Sequence, residues 1–134
     1  MNIVKLTENL GVSQQIAPEH VEAIAAAGYR VLINNRPDGE EPNQPPSAEI
    51  AAAAQAAGLE YYYLPITAMD FPGPDFAQMC EILADADKPV LAFCRSGTRC
   101  TNLWVASQGP GERDQAAMVA RQLGYDLGMV ARLG

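Results

Sequence analysis

Apolar residues fall into two alternating patterns along this chain: short unbroken runs, and stretches where they return every three or four positions. From Val4 to Val12 there is room for one or two short strands. Pro18 suits a first helical turn, and Val21, Ile24 and Ala25 form a stripe that Gly28 stops. Tyr29 to Asn34 reads as a strand and Leu59 to Ile66 as another. Between them, Arg36 to Pro46 is a proline-rich loop. Ser47 is expected to cap a helix with the stripe Ile50, Ala53, Ala54 and Ala57. Asp70 to Pro74 is a second loop. Asp75 with Gln78 resembles a capping box before the stripe Phe76, Met79, Cys80 and Leu83. Pro89 to Phe93 is the third strong strand. Helices are expected from about Arg99 to Ser107 and from about Glu112 to Leu123, parted by Gly109-Pro110-Gly111. This alternation predicts an α/β fold, a mostly parallel central sheet flanked by helices, with residues 1–134 as one domain.

In such sheets ligands sit at the carboxyl ends of strands. Cys94 lies at such an end, followed by Arg95-Ser96-Gly97-Thr98-Arg99 and a helix. Backbone N–H groups at a helix start gather around anions, and the same field favours thiolate, the reactive form of cysteine. Arg99 in a first helical turn is unfavourable unless an anion neutralises it. Arg95, Ser96, Gly97, Thr98 and Arg99 are therefore the candidate anion-binding set. Ser96 and Thr98 also fit as plain turn residues, and Gly97 supplies a positive φ or a close backbone approach.

Composition narrows the partners. Net charge is −7 over 134 residues, so a general nucleic-acid binder is not expected, and two arginines near one cysteine stand out. Three cysteines and one histidine fit neither a disulfide framework nor a Cys/His zinc site. No long apolar run or leader pattern occurs, so a cytoplasmic protein with no membrane partner is expected. Cys80 reads as core, and His20 receives no role.

Two reactions use a thiolate in this setting. In phosphoryl transfer it attacks phosphorus while N–H groups and an arginine hold the oxygens, and an acid protonates the leaving oxygen. In sulfur transfer it accepts a sulfane sulfur as a persulfide. Neither needs a metal or an organic cofactor. Asp70, in a loop after a strand and without an evident capping job, is the preferred acid. Arg36 either borders the pocket or forms a loop salt bridge. Cys100 is either a redox partner of Cys94 or a core residue.

The runs LGVSQQIAPEHVEAIAAAGYRVLINNRPDGEE, GLEYYYLPI and KPVLAFCRSGTR resemble a bacterial family described as beta-lactamase-hydrolase-like or domain-of-unknown-function 442 proteins, with a dual-specificity-phosphatase-like fold. The resemblance covers most of the chain. It implies Cys94 as nucleophile and Asp70 as general acid. Phosphatases of that type read His-Cys-x-x-Gly-x-x-Arg. Here Phe93 replaces the histidine, Arg99 arrives one residue early, and Cys100 takes the arginine's place. The string Cys-Arg-x-Gly-x-Arg is similar to the loop of single-domain rhodaneses, which are sulfurtransferases. The expected activity is a cysteine-dependent phosphatase-like hydrolase of a small phosphate ester. The alternatives are a sulfurtransferase or persulfide carrier with a small sulfur-bearing substrate, and a non-catalytic anion-binding or redox-sensing module.

Overall fold

A computed structural model describes residues 1–133. Five strands form one sheet in the order β1-β2-β5-β3-β4: β1 (Ile3–Lys5), β2 (Leu10–Ser13), β3 (Val31–Asn34), β4 (Glu60–Tyr63) and β5 (Val90–Phe93). Only the β1–β2 pair is antiparallel; β2–β5, β5–β3 and β3–β4 are parallel. Parallel strands buried on both faces should be apolar throughout, and β3 and β5 have every residue buried. The last strand in sequence is thus the middle one in space.

Side chains alternate across β5. Leu91 and Phe93 join Ile16, Val21, Ile24, Leu32 and Ile50 on the face covered by α1 (Val21–Ala26) and α2 (Ser47–Ala56). Val90, Ala92 and Cys94 join Met79, Cys100, Leu103 and Trp104 on the other face. That face is covered by α3 (Phe76–Ala84), α4 (Thr98–Ser107) and α5 (Arg113–Gln122). The two-residue strand period therefore turns the Cys94 side chain toward α4 and Cys100.

Element types follow the sequence pattern, while several ends are made differently. Ser47 is the first residue of α2 rather than its cap: its N–H donates to Asp38 Oδ1 at 2.8 Å, and its hydroxyl pairs with Tyr61 Oη at 2.6 Å. An acceptor from the preceding loop has displaced the local one. Asp75 precedes α3 but its side chain caps nothing. His20 has a job, since Nδ1 accepts the Ala17 N–H at 3.0 Å at the head of the 3-10 turn Pro18–His20. Cys80 is half-buried rather than core. The short α6 (Gly128–Ala131) has no sequence signal; buried Asn102 holds it by accepting the Val130 N–H at 3.1 Å.

Candidate active site

β5 delivers Cys94 to the carboxyl edge of the sheet between its two parallel neighbours. The Cys94 N–H donates to Ser13 O at 3.4 Å, and the Asn35 N–H donates to Phe93 O at 2.9 Å. The Gln15 N–H donates to Arg95 O at 3.3 Å, so β2 also braces the first loop residue. The chain then reverses through Gly97, whose φ of 87° is left-handed backbone that glycine adopts without penalty. This twist turns the Gly97 N–H back onto Cys94 Sγ at 3.1 Å. Thr101 Oγ1 donates to Gly97 O at 2.8 Å, and Asn102 Nδ2 donates to Thr98 O at 2.8 Å and Asp126 O at 2.8 Å. These two buried polar residues lock the loop onto α4.

Cys94 is buried, and burial alone would raise its pKa. The opposite happens. The Cys100 thiol donates to the sulfur, with backbone N–H groups of Cys100 and Ser96 and the charge of Arg99 adding to it, and the pKa falls to about 5. Cys100 pays the complementary shift: burial, then the Cys94 thiolate, pushes its own pKa well up. The two cysteines are thus pushed in opposite directions, Cys94 down and Cys100 up.

Arg99 projects from the first turn of α4 and is 14% exposed. Its Nη1 and Nη2 donate to Glu40 Oε2 and Oε1, both at 2.8 Å, and Nη1 also reaches Ile66 O at 3.0 Å. The counter-anion that this position requires is thus Glu40, from the loop after β3. Counting donors shows what remains. A guanidinium has five N–H groups in a planar fork. Three are taken, and among the described residues Nε and the outer Nη2 hydrogen have no acceptor. Those two form the side-on edge that grips an oxyanion in bidentate fashion. Glu40 also accepts from Arg36 Nε at 2.8 Å, and the two guanidiniums hold its carboxyl down at about 2, the Arg99 bond first.

The remaining candidates separate. Arg36 is only 3% exposed and forms the loop salt bridges, to Glu40 and Glu41, while it also lines a cleft with Arg95. Arg95 is 71% exposed and pairs through Nε with Glu41 at 3.1 Å, away from the sulfur nest. Ser96 Oγ donates to Thr98 Oγ1 at 2.9 Å and accepts the Thr98 N–H at 3.4 Å; neither hydroxyl bonds Cys94. Asp70 does have a local structural job, contrary to the sequence reading. Its Oδ1 accepts the Thr67 N–H at 2.6 Å and the Thr67 hydroxyl at 3.0 Å, and the backbone bond leads in lowering its pKa.

Sequence reasoning missed Glu40, Asn102 and Tyr125, which stands beside Gly97. Glu40 had a signal: a cation in a first helical turn demands an anion, and Pro37-Asp38-Gly39-Glu40-Glu41 is the acidic turn that follows a core strand. Asn102 and Tyr125 had none, because both owe their places to the path of the chain after α5. No group of three or more His, Cys, Asp or Glu side chains suited to a metal occurs among the described residues. Likewise no helix there is long and apolar enough to cross a membrane.

The chain is similar to known proteins along nearly its whole length. The chain is 37% identical over 131 residues to a beta-lactamase hydrolase-like protein of Xylella fastidiosa, and 33% identical over 130 residues to one of Agrobacterium fabrum. It covers 96% and 95% of itself in those matches but only 30% of either relative's length. A candidate phosphatase from Neisseria meningitidis superimposes with a TM-score of 0.79 at 37% identity, covering 99% of this chain and 96% of that one. Tk-PTP, at 23% identity and a TM-score of 0.65 over 94% of this chain and 87% of its own, shares the fold. The model of the phosphatase-like domain of beta-lactamase hydrolase-like proteins matches residues 2–111, and the chain belongs to that family.

Proposed function

We propose that the chain is a cysteine-dependent phosphatase-like hydrolase that acts on a phosphate ester, with Cys94 as nucleophile. One observation carries the reading: a buried thiolate with a pKa of about 5 lies in a nest of N–H donors, beside an arginine whose side-on edge is unoccupied. Family membership and the fold of known phosphatases support it. The Cys94 thiolate attacks phosphorus in line, the ester P–O bond breaks, and the leaving oxygen takes a proton. The N–H groups of residues 95–99 and the Arg99 edge carry the charge of the equatorial oxygens. Water then attacks the cysteinyl phosphate, releasing inorganic phosphate and restoring the thiolate. Asp70 is the acid in this scheme once its carboxylate leaves Thr67; while bonded there it holds no proton to give at neutral pH. Esters with good leaving groups need that proton least and should turn over fastest.

A second reading rests on the six-residue loop from Cys94 to Arg99 and on the Cys100 thiol at the next position. A tight cradle with a thiol donor suits a single sulfur. The thiolate would attack the outer sulfur of thiosulfate, the S–S bond would break, sulfite would leave, and an acceptor thiolate would take the sulfur from the Cys94 persulfide. Side-by-side assays with an aryl phosphate and with thiosulfate plus cyanide, each with Cys94→Ser as control, decide. The phosphatase reading expects Cys94-dependent phosphate release between pH 5 and 8. Thiocyanate formation without phosphate release would replace it with the sulfur reading.

A further inference from the structure

Two adjacent glutamates of the loop after β3 are held in unlike ways. Glu40 accepts three bonds from two guanidiniums and leaves neither oxygen free. Glu41 is half exposed and uses Oε1 alone, shared between Arg36 Nη2 at 3.0 Å and Arg95 Nε at 3.1 Å. The carboxylate lies over a polar cleft of about 340 Å³ whose wall includes Gln14, Gln15, Arg36, Asn43 and Arg95. Arg36 is fixed from behind, with Nε on Glu40 and Nη1 on Gln15 Oε1 at 3.0 Å. Arg95 is the residue next to the nucleophile. The cleft thus shares Arg95 with the loop that carries Cys94, is built on one buried and one exposed guanidinium, and is lined by a carboxylate held by one oxygen.

We propose that this cleft is a second anion subsite and that Glu41 stands in it as a replaceable substitute for a substrate group. The inference rests on the reading of the Cys94 loop as an anion site. It names the substrate class: a small molecule whose reacting phosphate lies at Cys94 and Arg99 and whose second acidic group, a carboxylate or phosphate, displaces Glu41 from Arg36 and Arg95. Charge supports the division. Glu40 is shared by Arg99 and Arg36, and Glu41 by Arg36 and Arg95, so a second anion entering there restores the same balance once Glu41 swings into solvent. The lining holds amide and guanidinium donors and no aromatic side chain, which favours a compact polar ligand over a peptide or a nucleobase.

Calorimetric titration of the Cys94→Ser protein tests this without turnover. The probes are phosphonoacetate, phosphonopropionate and phosphonobutyrate, against ethyl-, propyl- and butylphosphonate. With Glu41→Ala added, at least one phosphonocarboxylate should bind about threefold tighter or more, the scale of one exposed ion pair. The gain should depend on spacer length, leave the alkylphosphonates unchanged, and vanish when Arg95→Ala is added. An equal gain at every spacer length, or none, overturns the second subsite. If no phosphonate binds, or if Arg99→Ala leaves alkylphosphonate binding untouched, the anion-loop reading fails and the subsite falls with it. Phosphonocarboxylate binding that depends on Arg99 but not on Glu41 removes the subsite alone.

Discussion

Replacing Cys100 with alanine tests the electrostatics of the nucleophile most directly. The Cys94 pKa is held down at about 5 against its own burial, and the Cys100 thiol is the first cause. A hydrogen bond to a charged group contributes about 1.5–3 kcal/mol, and one pKa unit is about 1.4 kcal/mol, so its loss should raise Cys94 by roughly one to two units. The midpoint would move from about 5 toward roughly 6–7. At pH 7 the thiolate remains about half populated or more, so alkylation there changes little. At pH 5.5 its fraction falls from roughly three quarters to about a tenth for a shift of about 1.5 units. Iodoacetamide alkylation followed across pH, with thiolate absorbance as a second readout, measures this. Cys100→Ser keeps an O–H donor of similar size and should return the midpoint most of the way. Should the alanine protein keep the original midpoint while remaining folded, the backbone N–H groups and Arg99 suffice, and the donor role of Cys100 is wrong.

Three further outcomes follow from the same geometry. Glu40 has a lowered folded pKa, so its contribution to stability is present above its ordinary value of 4.5 and is lost as pH falls toward about 2; Glu40→Gln should flatten thermal stability across that window, and parallel melting profiles would contradict the clamp. In Gly97→Ala the new methyl would meet Tyr125 Oη at 3.4 Å and Ser13 O at 3.5 Å, ordinary contacts, so the cost is the left-handed backbone, about 1–2 kcal/mol by denaturant titration; an unchanged midpoint would refute it. Asp70→Asn should leave the acidic limb of kcat/KM in place, because that limb belongs to Cys94 and the Asp70 carboxyl lies below it. A basic limb between pH 5 and 8 that disappears in Asp70→Asn is the signature of Asp70 giving up a proton during turnover, and its persistence would remove Asp70 as the acid.

The sequence by itself determined the layers and the place of Cys94 at the end of a central strand. Uninterrupted apolar runs at Val31 to Ile33 and Val90 to Phe93 fit strands covered on both faces, and the alternation with helical stripes makes them parallel. A cysteine at such a strand end, followed by a glycine turn and a helix, is then placed at an anion-favouring edge by local backbone physics alone. What tertiary structure decided is everything that crosses the chain. Glu40 meets Arg99 across 59 positions, and Asn102 meets Asp126 across 24. Asp38 takes over the start of α2 from Ser47, a swap open only to an acceptor that the loop brings within 2.8 Å. Asp70 looked free because its partner, Thr67, lies three residues upstream in a turn that no helical stripe follows, so their capping-box spacing carried no weight. Local patterns fix which backbone groups need partners. Which side chain supplies the charge depends on where β5 slips between β2 and β3, and that is set by packing of the whole sheet.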